Sequence, residues 1–587
     1  MDVFSVLTMI GGLALFLYGM HVMGDGLAKT SGGRLEGILE KFTSKTSLAV
    51  LLGAGVTAVI QSSSATTVMV VGFVNSGIMK LDQAVGIIMG ANIGTTITSW
   101  ILSLAGIESD NVFMKMLKPS SFAPVFAIIG VSMMLFSKST KKKDIGTIMS
   151  GFAILMTGMD TMSKALAPLA EVPEFTSLFT MFRNPVLGVI AGALLTALIQ
   201  SSSASVGILQ ALCLTGSITY GSAIPIIMGQ NIGTCVTALI SSIGATKNAK
   251  RAALVHFYFN LIGTVIFMAV FYVLNMFIDF NFLDDAAGAA GIAVVHSIFN
   301  IAATLCLMPF KKGLVKLAML TIRDDEVYVQ ADGNGLALLD ERFLEQPAFA
   351  VAQAKKTAIQ MAKASQDALF KAIDLRQKYD ESGAEKVMEL ENLVDRYEDE
   401  IGTYLMKINN AELAQEDSQD VTMILHCIGD FERISDHAVN IMETAREVTK
   451  KEEHFSEKAR AELDIYEAAI REIVSMTYNV FAGEDTELAT HVEPLEEVID
   501  NINEEVKKKH VKRLRKGKCT IGLGFILSDL TTNYERVADH CSNVAACLIQ
   551  TKEDALETHE YIDHLKENDA IRFNREYKEY KKKYKLP

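Results

Sequence analysis

The sequence predicts an all-α protein with two parts, a polytopic membrane domain built from two inverted repeats and a soluble helical domain that follows it. Three observations predict this fold class. Apolar runs of about 17 to 25 residues, long enough to cross a bilayer core as helices, recur up to Lys316. Two polar motifs recur within that region at one fixed spacing. The remainder of the chain has helical periodicity and no spanning run.

The charge balance divides the chain at the same place. Of 55 Lys and Arg and 69 Asp and Glu residues, 19 basic and 14 acidic ones occur up to Lys316, which leaves 36 and 55 for the rest. The front part is therefore about +5 and the back about −19. We expect four regions: a membrane domain over 1–316, a linker over 317–349, a soluble helical domain over 350–550 and a charged tail over 551–587.

Two motifs of the membrane part are duplicated. Gln61–Ser64, with the sequence QSSS, recurs as Gln200–Ser203, and the GANIGT motif around Asn92 recurs as GQNIGT around Asn231. Both pairs are 139 positions apart. Chance similarity would not keep this register across about 30 residues, so the pattern indicates an internal duplication.

The loop charges predict that the two copies are inserted in opposite orientations. Lys and Arg are retained on the cytoplasmic side, and the basic loops of one copy match acidic or weakly charged loops of the other. The first copy has Lys29, Arg34, Lys41 and Lys45 where the second has Lys164 and Arg183, and Glu108 and Asp110 where the second has Lys247, Lys250 and Arg251. We expect repeats over about 1–137 and 145–310, a multi-pass position in the plasma (inner) membrane and a cytoplasmic C-terminal domain. The predicted spans are 4–23, 84–106, 121–137, 145–163, 222–244, 252–276 and 288–310.

Residues 48–78 and 186–217 are each too long for one span and have a QSSS block in the middle, so we interpret them as re-entrant helical hairpins. Irregular backbone at membrane depth is tolerated only where it is buried in protein or lines a wet cavity. One alternative is that these serines only bond back to carbonyls of their own helices. The other is that broken helices offer N–H groups to an anion while hydroxyls and carbonyls bind a small cation. Neither segment contains Lys or Arg, which favours a co-bound cation and hence symport.

The motifs QSSSATT, QSSSAS, GANIGTT and GQNIGTC resemble those of the type II sodium/phosphate cotransporter family over about residues 1–316. The resemblance implies a site in which the two QSSS blocks hold phosphate and sodium, with nearby polar residues completing the cavity wall. The implied QSSS residues are Gln61, Ser62, Ser63, Ser64, Gln200, Ser201, Ser202 and Ser203. The implied wall residues are Thr66, Thr67, Asn92, Thr95, Thr96, Ser205, Asn231 and Thr234. Cys235 replaces the threonine found at Thr96, so a cation ligand at this place is expected in one repeat only.

The same resemblance implies a sodium-coupled symporter that imports inorganic phosphate across the plasma membrane by alternating access, with sodium ions as the coupling ions. The alternative is a membrane sensor that binds phosphate without transporting it. We find no P-loop, catalytic triad or nucleic-acid-binding motif, and therefore expect neither an enzyme nor a nucleic-acid partner.

The soluble part has its own repeat, because ERISDHAVN at 432–440 returns as ERVADHCSN at 535–543, 103 positions later. Each copy has a second ExxxD pair upstream, and carboxylates at i and i+4 share a helix face. One interpretation is that two such helices, packed antiparallel, present four carboxylates to one metal cluster. The other is that these residues form a solvated acidic face. The carboxylates are Glu391, Asp395, Glu432, Asp436, Glu496, Asp500, Glu535 and Asp539.

ERISDHAVN and ERVADHCSN resemble the PhoU-like domain, a tandem of three-helix bundles associated with phosphate homeostasis. The resemblance implies a regulatory role, and iron or zinc bound by the carboxylates as in some members of that family. Contacts with a regulatory protein or with further copies of the chain are expected through this domain. In the membrane part, His256-x-x-x-Asn260 and His296-x-x-x-Asn300 predict either hydrogen bonds between helices or a proton or ion relay.

Overall fold

The computed structural model describes residues 3–31, 45–106, 119–168, 181–323, 338–408, 413–553 and 570–587. The chain forms two compact units. Unit 1 comprises Met1–Gly333 and Asp340–Phe349, and unit 2 comprises Asn334–Leu339 and Ala350–Pro587. The described ranges contain α-helices, short 3-10 turns and no β-strand, which confirms the predicted all-α class.

Within the described residues, unit 1 contains twelve α-helices and the start of a thirteenth. Six stretches of this described part, formed by α1, α4, α6, α9, α10 and α11 with α12, are long and apolar enough to cross a membrane. Helix α5, with 18 residues, covers the predicted span 121–137 up to Phe136 and is shorter than the six stretches. The helices are α1 (Val3–Ser31), α2 (Thr46–Ile60), α3 (Ser63–Asn75), α4 (Leu81–Ser103), α5 (Pro119–Phe136), α6 (Thr140–Leu166), α7 (Pro185–Ile199), α8 (Ser202–Cys213), α9 (Tyr220–Ser241), α10 (Lys247–Ile278), α11 (Ala289–Leu307) and α12 (Lys311–Thr321).

Each predicted hairpin segment consists of two helices that are broken at the QSSS block. Gln61, with φ 60°, ends α2, and Gln200, with φ 58°, ends α7. A residue with left-handed backbone cannot continue a right-handed helix, so each helix ends there. The backbone N–H of Gln61 still bonds to the Thr57 carbonyl at 2.8 Å, and that of Gln200 bonds to Thr196 at 2.7 Å.

The helix boundaries repeat with the same spacing as the motifs. Helices α2 and α7 begin 139 residues apart, as do α3 and α8, and α4 and α9. Within each repeat the first and third of these helices pack closely through glycine. A Cβ atom at Gly90 would lie 2.0 Å from the Val50 carbonyl oxygen, and one at Gly229 would lie 2.0 Å from that of Val189. The duplication therefore extends to backbone packing, while the opposite orientation of the copies stays a prediction.

One buried amide connects three helices of unit 1. The fully buried Gln210 of α8 donates through Nε2 to the Ser99 carbonyl of α4 at 3.0 Å and to the Ala289 carbonyl of α11 at 2.9 Å. Helix α11 follows both copies of the duplicated motifs in sequence. This amide thus bonds the last apolar helix to both repeats.

The outer face of unit 1 is apolar. Leu198 and Met276 are each 82% exposed, and Phe277 is 80% exposed. Large apolar side chains at this exposure on long apolar helices are typical of a lipid-facing surface. The arrangement fits a protein embedded in a bilayer.

Unit 2 contains two three-helix groups joined by α15 and α19, which pack on each other. In the first group, Ser365 of α13 donates to the Phe431 carbonyl of α15 at 2.7 Å, and Tyr397 of α14 donates to Gln360 of α13 at 3.4 Å. In the second group, α16, α18 and α19 pack on one another. The helices are α13 (Pro347–Gln377), α14 (Glu381–Met406), α15 (Gln415–Lys450), α16 (Glu457–Gly483), α17 (Thr486–Ala489), α18 (Val492–Arg515), α19 (Ile521–Glu553) and α20 (Ala570–Lys583).

The expected linker over 317–349 has three parts in the structure. Its first residues continue α12, which ends at Thr321. Residues 324–337 lie outside the described residues. Asp340–Phe349 belongs to unit 1. The loop charges expected at Arg34, Lys41, Glu108 and Asp110 also lie outside the described residues.

Candidate anion-binding cavity

The two helix breaks border one cavity of about 310 Å³. All eight QSSS residues line it, together with residues from α1, from the adjoining helix turns and from the segment before α13. The lining residues are Met20, His21, Gly24, Asp25, Ile60, Gln61, Ser62, Ser63, Ser64, Ala65, Gln200, Ser201, Ser202, Ser203 and Gln346.

Two helices begin at this cavity, each capped by a serine of the motif. Ser62 Oγ accepts a hydrogen bond from the Ala65 N–H at 3.1 Å, and Ser201 Oγ accepts one from the Ala204 N–H at 3.2 Å. A helix start leaves further N–H groups without carbonyl partners and carries partial positive charge. The N-termini of α3 and α8 therefore supply the kind of donors that bind an anion.

Residues of the two repeats contact each other across the cavity. The hydroxyl oxygens of Ser63 and Ser202 are 3.4 Å apart, and the Ser64 hydroxyl donates to the Gln200 carbonyl at 3.5 Å. Ser63 and Ser202 occupy equivalent places in the duplicated sequence. The structure thus brings both predicted halves of the site to one location.

The two glutamines of the motif have different surroundings. The Thr98 hydroxyl donates to Gln61 Oε1 at 2.8 Å, and Gln61 Nε2 donates to the Ala58 carbonyl, so this side chain is held on both sides. Gln200 is exposed at the cavity. Thr237, the residue equivalent to Thr98, has a buried hydroxyl without a hydrogen-bond partner among the described residues. Both repeats therefore place a glutamine at the cavity, but only the side chain of Gln61 is described with hydrogen bonds on both its oxygen and its nitrogen.

The eight residues expected to complete the cavity wall lie behind its lining. Each is buried, and most bond to a carbonyl one turn earlier in the same helix, as Asn92 does to Ile88 at 3.0 Å and Asn231 does to Ile227 at 2.9 Å. Back-bonding of this kind satisfies a polar side chain without a ligand. Their role as ligands stays a prediction. These residues are Thr66, Thr67, Asn92, Thr95, Thr96, Ser205, Asn231 and Thr234.

Sequence reasoning missed the contribution of α1 and of the segment before α13. His21 and Asp25 line the cavity, and His21 Nε2 lies 3.3 Å from Asp25 Oδ2. A His and an Asp one turn apart in an apolar helix were the signal that could have found them. Gln346 had no such signal, because nothing in a polar linker marks one glutamine as part of a site.

The electrostatics of the lining are simple. Among the described lining residues, His21 and Asp25 alone are ionisable, and the rest offer hydroxyl, amide and backbone groups. An anion here meets neutral donors and two helix N-termini. Neutral donors suit reversible binding, and a co-bound cation would offset the charge.

The two histidine pairs of α10 and α11 are buried. The Asn260 amide donates to Cys235 Sγ of α9 at 3.3 Å, which is a hydrogen bond between helices. The ring nitrogens of His256 and His296 have no hydrogen-bond partner among the described residues. Both alternatives for these pairs stay open.

In unit 2, three of the four expected carboxylates come together in each repeat. Possible ligand atoms of each set lie within 4.8 Å of one another. Glu432 and Glu535 are outside the sets. Glu432 lies 3.4 Å from Arg433 Nε, and Glu535 accepts a hydrogen bond from Asn503. The first set is Glu391, Asp395 and Asp436, and the second is Glu496, Asp500 and Asp539.

Several carboxyl groups in both sets have raised pKa values. Burial, reinforced by neighbouring acidic groups, raises the pKa of Glu496 to about 8 and that of Asp500 to about 6. Burial likewise raises the pKa of Glu391, Asp395 and Asp539. Like charges held together disfavour ionisation unless a cation compensates them. The pKa values are therefore raised more strongly in the second set than in the first.

The repeat of unit 2 is also visible in a symmetric pair of histidines. His437 Nδ1 bonds to Asn533 Oδ1 at 2.8 Å, and His540 Nδ1 bonds to Asp430 Oδ1 at 2.8 Å. These groups bond to each other across α15 and α19, and neither histidine belongs to a carboxylate set. The sets thus contain oxygen ligands alone.

Comparison with known proteins agrees with the division of the chain into a membrane part and a soluble part. The profile of the Na+/Pi-cotransporter family matches residues 15–164 and again residues 154–284. The profile of the PhoU domain matches residues 358–445 and 466–548. Each profile matches twice, in the places where the sequence repeats.

Similar individual proteins include YjbB of Salmonella typhimurium, provisionally named an inorganic phosphate export protein. It is 24% identical over 517 residues, which are 87% of this chain and 91% of that protein. The uncharacterized protein YqeW of Bacillus subtilis is 27% identical over 311 residues, 53% of this chain and 96% of its own length. The human sodium-dependent phosphate transport protein 2B is 38% identical over 103 residues, 16% of this chain and 15% of that protein. Residues 15–284 thus match the Na+/Pi-cotransporter family in two successive copies, and two PhoU domains follow in the C-terminal part.

Proposed function

We propose that this protein carries inorganic phosphate across the membrane through the cavity between the QSSS motifs, and that sodium ions drive the transport. One observation carries the proposal: two helix N-termini, one from each repeat, open into a cavity lined by all eight QSSS residues. Such N-termini favour a small oxyanion, and the hydroxyls beside them suit a sodium ion. Relatives named for phosphate transport support the choice of anion.

Uptake of radiolabelled phosphate into proteoliposomes tests this function. An inward sodium gradient should drive accumulation, and potassium in place of sodium should abolish it. Binding of phosphate without uptake would instead support the sensor alternative. If the protein neither binds phosphate nor takes it up, phosphate is not its ligand.

Import is the proposed direction in the cell, because an inward sodium gradient drives a symporter inward. Export is a second candidate, since the relative that covers 87% of this chain is named for phosphate export. Vesicles loaded with phosphate and given gradients of either sign distinguish the two. Import predicts that efflux from such vesicles requires an outward sodium gradient.

The two PhoU domains are proposed to regulate this transport from the cytoplasmic side of the plasma membrane. Access of a protease to unit 2 in intact cells and in inside-out vesicles tests that location. Cleavage in intact cells would contradict it.

Each carboxylate set is proposed to bind a metal ion. Both sets fit a hard cation, because carboxylate oxygens are the ligands that magnesium, calcium and manganese prefer. Iron also binds to carboxylates inside helical bundles. Zinc fits less well, since neither set contains a His or Cys among the described residues. Metal analysis of the purified full chain tests the proposal, and absence of bound metal after gentle purification would favour a solvated acidic face.

A further inference from the structure

The segment Asp340–Phe349 lies along α3 and runs in the opposite direction. Asp340 bonds to Asn75 at the C-terminal end of α3, and Phe343 contacts Gly72 one turn earlier. Gln346 then reaches the cavity at the start of that helix. The segment therefore follows the helix of the first QSSS hairpin over most of its length.

Buried polar contacts fix the beginning of the segment. Asn75 Nδ2 donates to Asp340 Oδ2 at 2.6 Å, and the side chain of Asp340 is 3% exposed. Arg342 donates through Nη1 to both oxygens of Asp340, at 2.9 and 2.8 Å. A paired, hydrogen-bonded carboxylate of this kind holds one geometry and is costly to break.

Three phenylalanines fix the middle and the end of the segment. The rings of Phe343 and Phe349 have centroids 4.8 Å apart, and they lie 5.5 and 5.1 Å from the ring of Phe73 in α3. Phe343 is fully buried. A Cβ atom at Gly72 would lie 2.6 Å from Phe343 Cε1, so the ring packs directly on the backbone of α3.

The same segment is bonded to the second repeat. Arg342 Nε donates to the Ser241 carbonyl, at the end of α9, at 2.8 Å. Asn75 adds to this link, because its Oδ1 accepts the Thr246 N–H at 2.8 Å. The segment thus bonds the hairpin of one repeat to a helix of the other. Transport by alternating access moves one repeat against the other, so such a link opposes the movement.

We propose that Asp340–Phe349 is an autoinhibitory brake on the transport cycle, and that Gln346 is a further residue of the anion cavity. This proposal rests on the proposed transport function. Helix α13 begins at Pro347 inside the segment and continues as the first helix of unit 2. The same helix enters the first PhoU domain, so a change in that domain can reach the segment through α13. A ligand that shifts α13 would shift the population between braked and released states.

The experiment compares two glycine substitutions in the full chain in proteoliposomes. Gly72→Ala places a methyl group against Phe343, whereas Gly55→Ala, in α2 of the same hairpin, meets no atom within 4 Å. Released from the brake, Gly72→Ala should take up phosphate several-fold faster than Gly55→Ala. Phe343→Ala should do the same relative to Phe310→Ala, which removes an exposed ring elsewhere. Arg342→Lys loses the paired hydrogen bonds to Asp340 and the bond to the Ser241 carbonyl. Its uptake rate should rise less than that of Gly72→Ala.

Hydrogen exchange and phosphate binding distinguish release of the segment from loss of folding. Peptides over Asp340–Phe349 should exchange faster in Gly72→Ala than in Gly55→Ala, while phosphate binding by the detergent-purified protein shows that the variant is folded. Gln346→Ala should leave this exchange unchanged and raise the phosphate concentration for half-maximal uptake. An active wild type with equal or lower rates in Gly72→Ala and Phe343→Ala overturns the brake alone. A wild type that binds but does not transport phosphate overturns the transport function and the brake with it.

Discussion

Ser63 and Ser202 stand 139 positions apart in the sequence, yet their hydroxyl oxygens lie 3.4 Å from each other at the start of two different helices. Each is buried, and each belongs to the same place in its own repeat. A ligand that bonds to one of them is within reach of the other. The two repeats therefore contribute equivalent residues to one cavity.

Ser63→Ala and Ser202→Ala are each expected to lower phosphate uptake, because an oxygen of the bound phosphate loses one hydrogen-bond donor. The double variant should lose less than the product of the two single effects, since both hydroxyls act on one ligand. A double-mutant cycle on the uptake rate at low phosphate measures this. Ser139→Ala, at an exposed position before α6, is the matched control. Strictly multiplicative effects would contradict a shared site.

Gln61 and Gln200 are expected to differ when each is replaced. Gln61→Ala removes a side chain held by Thr98 and Ala58, so we expect lower thermal stability together with lower uptake. Gln200→Ala removes a group exposed at the cavity, so we expect weaker phosphate binding at nearly unchanged stability.

Glycine variants separate the side chain from the backbone at these two positions. Both residues have left-handed φ values of 60° and 58°, which cost an alanine about 1 kcal/mol and a glycine almost nothing. Gln61→Gly should therefore unfold at a higher temperature than Gln61→Ala while its uptake is equally low. Recovery of uptake in Gln61→Gly would show that the amide itself is not needed.

Asp25→Asn is expected to weaken discrimination between phosphate and sulfate. Phosphate at neutral pH carries a proton that it can donate to the Asp25 carboxylate, whereas sulfate has none and is repelled by that charge. Inhibition of phosphate uptake by excess sulfate should be weak in the wild type and stronger in Asp25→Asn. Asp160→Asn, on α6 and paired with Lys164 at 2.6 Å, is the control. Equal sulfate inhibition in wild type and Asp25→Asn would mean that Asp25 does not meet the anion.

The metal-free second carboxylate set should make unit 2 less stable as pH rises. The pKa of Glu496 is raised from its ordinary 4.5 to about 8, and that of Asp500 from 3.8 to about 6. A group with a raised pKa stabilises the fold fully below its unfolded value, and this contribution is lost as pH rises through the folded value. Stability should therefore fall between about pH 4 and about pH 8.

Urea-dependent pulse proteolysis of the full chain in EDTA measures this loss within unit 2. Glu496→Gln should flatten the pH dependence, and manganese should restore stability at high pH in the wild type alone. Glu504→Gln is the control, because Glu504 is exposed and its contact with Lys508 lowers its pKa. A pH profile unchanged by Glu496→Gln would place the destabilising charge elsewhere.

The duplicated motifs allowed both helix breaks to be predicted, because a polar QSSS block in the middle of an apolar segment is costly to bury in a continuous helix that faces lipid. The family resemblance implied that the two QSSS blocks lie at one place, and Ser63 and Ser202 are in contact there. Asn92 and Asn231 were expected at the cavity wall, but each bonds to the carbonyl one turn earlier in its own helix. Spacing along a helix does not reveal whether a polar side chain faces a neighbour or its own backbone.

Residues without a counterpart in the repeat were the ones that sequence reasoning missed. His21 and Asp25 enter the cavity because α1 passes beside both hairpins, and Gln346 enters because a linker segment packs on α3. Such contacts depend on tertiary packing over long sequence separations. In unit 2, six of the eight carboxylates of the ExxxD pairs lie in the two sets, whereas Glu432 and Glu535 have other neighbours, and metal binding by the sets stays a prediction.

The amide of Gln210 has a consequence for how the protein is made. Both copies of the duplicated motifs leave the ribosome before Ala289, whose carbonyl accepts a hydrogen bond from this buried amide at 2.9 Å. Until α11 is synthesised, the nascent membrane half lacks one of the two backbone oxygens that bond this amide. We therefore expect nascent chains stalled after residue 285 to be degraded faster than chains stalled after residue 323, which pulse-chase labelling would reveal.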